Sequence, residues 1–214
     1  MENPVYKHFN NFLTEQEKIT IIEYVDTINH QSQAENIHLS HLIKKINGNS
    51  HMYDISKTSM TKEVTEYQSG GNDVMNEELP EVFHVLIDKI CSKVEIPKEN
   101  IFLQIVDMDK GGTIGGHYDA AFDGYINYKC NISVLAEDYA FVIDNEEIKV
   151  EERDLYCFEA SLYKHWTLKP FTSRRILLSF GFMLPYEVLG RTERDPRVRM
   201  SQRIKKMFQN SQGL

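Results

Sequence analysis

The chain has few of the residues that stapled or metal-clipped small domains rely on. It carries three cysteines in 214 residues, Cys91, Cys130 and Cys157. They lie far apart, with no paired spacing for structural zinc and no even set for a disulfide framework. Each is expected to pack as a small apolar side chain in a reduced protein. No apolar run approaches the roughly 20 residues of a membrane-spanning helix. The opening MENPVYKHFNNFLTEQEK also lacks the basic start and unbroken apolar stretch of a secretory signal. The expectation is a cytoplasmic protein with no membrane partner. Basic charge is scarce as well: 24 Lys and Arg stand against 32 Asp and Glu, a net charge of −8. That balance repels phosphate backbones on average and argues against a dedicated nucleic-acid binder. The exception is the segment 191–206, with seven basic residues against two acidic, which keeps nucleic acid open as an alternative partner.

Apolar material is plentiful, at 41% hydrophobic residues with 11 Tyr and 11 Phe, enough for a buried core. With no linker and no internal repeat, the sequence reads as one domain over 1–214, with helical support (1–96), a β core (97–187) and a C-terminal helix (190–210). Thr14 and Glu17 have capping-box spacing, so a helix is expected from there to about Ile28, with Ile19, Ile22, Tyr24 and Val25 toward the core. Residues 30–76 are polar and without clear period. The stretch 47–76 within them suits a lid or binding loop. A second helix is expected over Glu77 to Val94, with Leu79, Val82, Phe83, Leu86, Ile87 and Ile90 on one side. From 101 onward short β-branched and aromatic runs follow: IFLQIVDM, YKCNISVL, AFVID, EIKV, DLYCFEA and RRILLSFGF. Asp144 and Asn145 suit a hairpin turn between two of them. The fold class is mainly β with flanking helices, a jelly-roll or cupin-like core.

The chemistry lies in KGGTIGGHYDAAFDG. His117 and Asp119 are two apart, so on an extended strand both side chains leave one face and converge on one ion. A His-x-Asp pair is common by chance and is as often a hydrogen-bonded surface pair. The glycine-rich approach and a second histidine, His165, 48 residues later, add weight to it. Two imidazoles and one carboxylate on a single face leave three octahedral positions open, the arrangement of non-haem iron(II) oxygenases. Beyond His165 come Arg174 and Arg175 at the mouth of the last strand. A guanidinium there suits a bidentate pair with the distal carboxylate of 2-oxoglutarate. Alternation favours Arg175, whose face carries Leu177, Ser179 and Gly181, over Arg174, whose face carries Ile176, Leu178 and Phe180. A bulge before the strand would reverse that choice. Tyr128, Asn131 and Ser179 are further candidates for contact with the cosubstrate, each also readable as an ordinary strand residue. Tyr118, Phe122, Tyr125 and Trp166 are aromatic enough to line a substrate pocket, and Asp107, Asp109 and Asp123 would attract a cationic one.

The span from about Ile101 to Phe182 resembles the Fe(II)/2-oxoglutarate-dependent dioxygenase superfamily, particularly its prolyl-hydroxylase-like branch. The matching pieces are the GGHYDA block, His165 and the PFTSRRILLSFGF block, and FNNFLTEQEKITIIEYV looks like that branch's opening strand and helix. The strand before the glycine turn departs from the pattern, with Asp107, Met108 and Asp109 where the family usually has a tyrosine. The resemblance implies a double-stranded β-helix and iron ligands His117, Asp119 and His165. It also implies a cosubstrate cation at Arg174 or Arg175, dioxygen as co-reactant and ascorbate as reductant. The implied activity is hydroxylation of a small-molecule, amino-acid or protein side-chain substrate with release of succinate and carbon dioxide. An intact Asp119, where related halogenases have a small residue, implies oxygen insertion or oxidative demethylation. The alternatives are an AlkB-like nucleic-acid demethylase and a cupin-like metal isomerase or binding module, for which an arginine facing the metal pocket has no use.

Overall fold

The structure, a computed structural model, describes residues 5–34, 43–46, 50–54, 80–98, 100–108, 110, 114–136 and 139–211. Apart from 50–54, the lid expected over 47–76 lies outside the described residues, as do Leu79 and Asp109. In chain order the elements are β1 (Tyr6–Phe9), α1 (Glu15–Ala34), β2 (Ile43–Ile46), β3 (Ser50–Asp54), α2 (Glu81–Val94), β4 (Ile101–Met108) and β5 (Tyr125–Leu135). They continue with β6 (Tyr139–Ile143), β7 (Glu146–Val150), β8 (Leu155–Glu159), β9 (His165–Thr167), β10 (Arg175–Pro185), a 3-10 turn (Tyr186–Leu189) and α3 (Pro196–Ser211). A seven-stranded antiparallel sheet runs β1-β8-β5-β10-β4-β3-β2, and a three-stranded one runs β7-β6-β9. The two form a double-stranded β-helix.

Local chemistry accounts for the ends. The Thr14 hydroxyl accepts from the Glu17 backbone N–H at 3.2 Å, and the Glu17 carboxylate accepts from the Thr14 N–H at 2.8 Å, so α1 starts on its capping box. Its core-facing side is centred on Ile21 and Val25, while Ile19, expected inward, is 45% exposed. Leu13 just before the cap and Ile21 two turns into the helix are both buried and together set the helix rotation. Asp144 and Asn145 both take positive φ, 51° and 73°, as a two-residue hairpin turn between β6 and β7 requires.

Each central strand of the large sheet is buried on both faces, and the two faces differ. Leu103 and Ile105 of β4, Cys130 and Ile132 of β5, and Leu178 and Phe180 of β10 pack against Phe83, Leu86 and Ile90 of α2 and Ile21 and Val25 of α1. Side chains of this kind contribute about 1.5–3 kcal/mol each when fully buried, so this outer layer fixes the sheet. Cys130 and Cys157 are register partners within it, both fully buried thiols. The inner face carries Val106 and Leu177, which join Phe141, Ile143, Ile148 and Val150 of the smaller sheet in a second core. Beyond that core the inner face turns polar, and there the candidate site lies. No helix among the described residues is long and apolar enough to cross a membrane.

One glycine shapes that polar end. A Cβ on Gly181 would lie 2.0 Å from the Phe102 ring, so the ring fits against β10 only because residue 181 lacks a side chain. Gly181→Ala is expected to destabilise the fold by about 1–3 kcal/mol through overpacking, read as a lower midpoint in urea denaturation with unchanged slope.

Candidate functional site

The site is built by a short antiparallel ladder between segments far apart in sequence. The Thr167 N–H donates to the Ile114 carbonyl at 3.0 Å, and His117 and His165 exchange N–H···O bonds of 3.2 and 3.0 Å. A directly opposed pair shares one face, so the two imidazoles stand 4.2 Å apart between centroids. Asp119, two residues on, is held by its own N–H donating to the Ala160 carbonyl at 3.0 Å. Its Oδ1 lies 3.3 Å from His117 Nε2 and 3.7 Å from His165 Nε2.

These donors fit a metal ion. His117 Nδ1 lies 2.8 Å from the Gly115 carbonyl and His165 Nδ1 lies 3.0 Å from the Tyr163 carbonyl. A carbonyl can only accept, so each Nδ1 carries the proton and each Nε2 keeps its lone pair for a metal. The three ligand atoms lie within 4.8 Å of one another. The two Nε2–Oδ1 separations are close to the ~3 Å edge expected between neighbouring ligands at ~2.1 Å from an ion.

Electrostatics favour the ligating protonation states. Burial alone would push the Asp119 carboxyl up, but Lys129, His117 and His165 hold it well below the usual carboxylate range. Burial pushes His165 down to about 4 against the pull of Asp119. His117, half exposed, is raised by its hydrogen bond with Asp119, with burial opposing.

Behind the triad lies a cavity of about 570 Å³ walled by Gln104, Lys129, Asn131 and Ser179 and by the apolar Val106, Phe141, Phe158 and Leu177. The Asn131 Oδ1 is buried without a hydrogen-bond partner, a vacancy that a polar guest, or a turned amide facing one, would answer. Arg175 occupies the same strand face two positions beyond Leu177 and is 1% exposed. Its Nη2 donates to the Tyr156 hydroxyl at 3.4 Å and its guanidinium lies 4.8 Å over the Phe171 ring. The open cavity ends at Leu177 and Phe158, with Arg175 just behind.

The expected residues therefore divide. Asn131 and Ser179 stand on the cavity wall. Tyr128 does not: it is an odd number of residues from Asn131 and packs in the outer core with the helices. Arg174 also turns outward, in paired hydrogen bonds of 2.9 Å to both oxygens of Asp107 and at 2.8 Å to Asp26 of α1. It ties helix to sheet, and it takes Asp107 away from the substrate side. Lys129 and Gln104 escaped notice in the sequence. The signal was present in the polar series Asn127, Lys129, Asn131 and Ser133 at period two, on a strand whose other face is wholly apolar.

A second recess, about 560 Å³, opens on the other side of His117 and Asp119, lined by Tyr118, Phe122, Tyr125, Leu162, Tyr186 and Val198 among others. Helix α3 forms one wall. Its entry is pinned by Arg191, which bonds Glu159, Asp195 and the Tyr163 hydroxyl, and by Arg197, which pairs with Asp144 and stacks 4.4 Å over Tyr163. Trp166, between two inward residues of β9, is not part of this lining.

Sequence comparison finds no matching family model and no matching curated protein. Structural comparison finds the fold in a prolyl 4-hydroxylase from Phytophthora capsici, with TM-score 0.55 and 12% identity over 86% of this chain and 60% of that one. It is also found in a Trichoplax adhaerens prolyl hydroxylase in complex with a hypoxia inducible factor peptide (TM-score 0.53, 10% identity, 88% of each chain). A third is HygX from Streptomyces hygroscopicus, with nickel, 2-oxoglutarate and hygromycin B bound (TM-score 0.53, 9% identity, 85% of this chain and 83% of that one). The chain thus spans 60% of the length of the Phytophthora protein. At these identities the likeness is one of fold.

A metal must displace any proton on His117 Nε2. Cobalt(II) or iron(II) affinity is therefore expected to weaken about tenfold per pH unit below the raised His117 value and to level off above it, with His165 adding a second proton only near 4. Competition titrations from roughly pH 5.5 to 8 bracket the ordinary imidazole range and read this directly; an affinity flat across that range would contradict ligation by His117.

Proposed function

We propose that the chain is an iron(II)- and 2-oxoglutarate-dependent oxygenase that hydroxylates an unactivated C–H bond of a small-molecule, amino-acid or peptide substrate, releasing succinate and carbon dioxide. The observation that carries this reading is the three-atom face of His117 Nε2, His165 Nε2 and Asp119 Oδ1 at the mouth of a cavity whose Leu177 end has a buried arginine, Arg175, two positions further along the same strand face.

Iron(II) held by His117, Asp119 and His165 would supply the activation of dioxygen, with 2-oxoglutarate as its cosubstrate. The protein contributes position and exclusion. The two carbonyl-anchored histidines hold their lone pairs inward without reorganisation. Arg175 takes the distal carboxylate, a role that requires Leu177 or Phe171 to yield slightly, and Ser179 and Asn131 offer hydrogen bonds along the way. Phe141, Phe158, Val106 and Leu177 keep the chamber dry.

His117 and Asp119 line both cavities, so a substrate in the outer recess meets the metal on the side away from 2-oxoglutarate. The recess is mainly apolar and aromatic, with Asp123 and Lys164 its charged residues besides Asp119. That lining suits a partly apolar, neutral or cationic group better than a phosphate backbone. Arg191 and Arg197, the start of the basic C-terminal stretch, spend their charge in internal ion pairs, which further favours the hydroxylase reading over the nucleic-acid one. Dioxygen and an ascorbate reductant belong to the same proposal.

The test is anaerobic addition of iron(II) and 2-oxoglutarate with visible absorption as readout. The parent is expected to develop the weak charge-transfer band of the chelate, His165→Ala to lose it, and Arg175→Met to need at least tenfold more 2-oxoglutarate. Slow succinate release should follow on admitting air. A folded, iron-loaded parent with no band would overturn the proposal in favour of a metal isomerase or binding module.

A further inference from the structure

We propose that Lys129 is a second cosubstrate-binding cation, which holds the metal-chelating carboxylate of the 2-oxo acid while Arg175 serves the distal one; the inference rests on the iron and 2-oxoglutarate reading above. Lys129 sits in the middle of β5 on the cavity face and is 5% exposed. Its Nζ lies 3.1 Å from Gln104 Oε1, 3.6 Å from Asp119 Oδ2 and 4.5 Å from the centroid of the Phe102 ring that Gly181 admits. An ammonium this deep is costly unless an anion answers it.

Asp119 stands beside it with its two oxygens divided. Oδ1 faces both histidine Nε2 atoms, and Oδ2 faces Lys129. Lys129 thereby turns Asp119 to offer the metal one oxygen and leaves the remaining positions for a chelate. Once a dication draws the charge of Asp119, a buried ammonium and a metal stand side by side facing the cavity. That juxtaposition calls for an anion beside both, which is what the chelating carboxylate of a 2-oxo acid provides. The strand register separates the two cations. Lys129 is level with Gly181, six positions along β10 from Arg175, or roughly 20 Å of strand. Lys129 lines the chamber and Arg175 lies on the same strand face beyond its Leu177 end, so the two cations flank it along β10, as the two carboxylates of 2-oxoglutarate lie at opposite ends of that molecule.

The test compares 2-oxoglutarate with 2-oxovalerate, which keeps the chelating end and lacks the distal carboxylate. Dissociation constants are read anaerobically from the charge-transfer band on the iron(II) protein. Lys129→Met is expected to weaken both ligands by a similar factor, at least tenfold, whereas Arg175→Met weakens 2-oxoglutarate and leaves 2-oxovalerate unchanged. Lys129→Gln, which retains a donor toward Asp119, is the second variant should Lys129→Met fail to fold by circular dichroism, and is expected to weaken both ligands as well. Unchanged constants for both ligands would overturn the proposal and leave Lys129 as a counter-ion of Asp119 alone, a role that alters iron affinity instead. Loss confined to 2-oxoglutarate would overturn it differently, by moving Lys129 to the distal carboxylate. A parent that forms no band with either ligand is the failure of the underlying reading, distinct from both.

Discussion

The pairing of His117 with His165 is the constraint on which the rest depends. Two backbone hydrogen bonds join residues 48 apart in sequence and make the last rung of the smaller sheet out of two of the three candidate ligands. Because the two residues are directly opposed, the ladder alone decides that both rings share a face. The carbonyls of Gly115 and Tyr163 then fix both tautomers, so the candidate ligand set is preorganised by main chain. Asp119 follows from the same geometry, two residues on and tethered to Ala160.

Charge is sorted by strand face with equal economy. On the outer face, Arg174 and Asp107 neutralise one another beneath α1, with Asp26 as an exposed third partner that contributes at most about 1 kcal/mol. On the inner face, the buried Arg175 and Lys129 stand on neighbouring strands of the large sheet, with Asp119 beside Lys129. This inward placement of two cations contrasts with the net charge of −8 for the chain. It favours a small dianion inside even though the molecule as a whole repels anions. The outer recess, bordered by aromatic residues and α3, has a different lining and suits a different guest.

Much of this was legible in the sequence where a period carried the information. The spacing of two fixed His117 and Asp119 to one face, and alternation along β10 separated Arg175 from Arg174, an argument that holds because the irregularity near Ile176 displaces β5 and leaves β10 regular. The same logic applied to β5 separates Tyr128 from Asn131 and reveals Lys129, since alternating polar residues on a central strand buried on both faces mark a polar interior, here the cavity that Lys129 and Asn131 line. His165 was a different matter. Its approach to His117 is a tertiary pairing with no local signature, and its selection rested on its place just before the last strand. The β2–β3 hairpin, which extends the large sheet from within a polar stretch, also escaped, because an edge pair of four or five residues leaves little period to read. Ile19 was misjudged because Leu13, Ile21 and Val25 together, rather than the first apolar residue after the cap, set the rotation of α1.

The central claim is that iron sits on two imidazoles and one carboxylate with positions free for a bidentate 2-oxo acid. X-ray absorption at the iron edge of the anaerobic iron(II) protein, before and after 2-oxoglutarate, addresses it most directly. The account expects two imidazole scatterers in both spectra and an oxygen shell that changes on addition as the chelate replaces solvent. A first shell with a different number of imidazoles, or one untouched by 2-oxoglutarate, would contradict it.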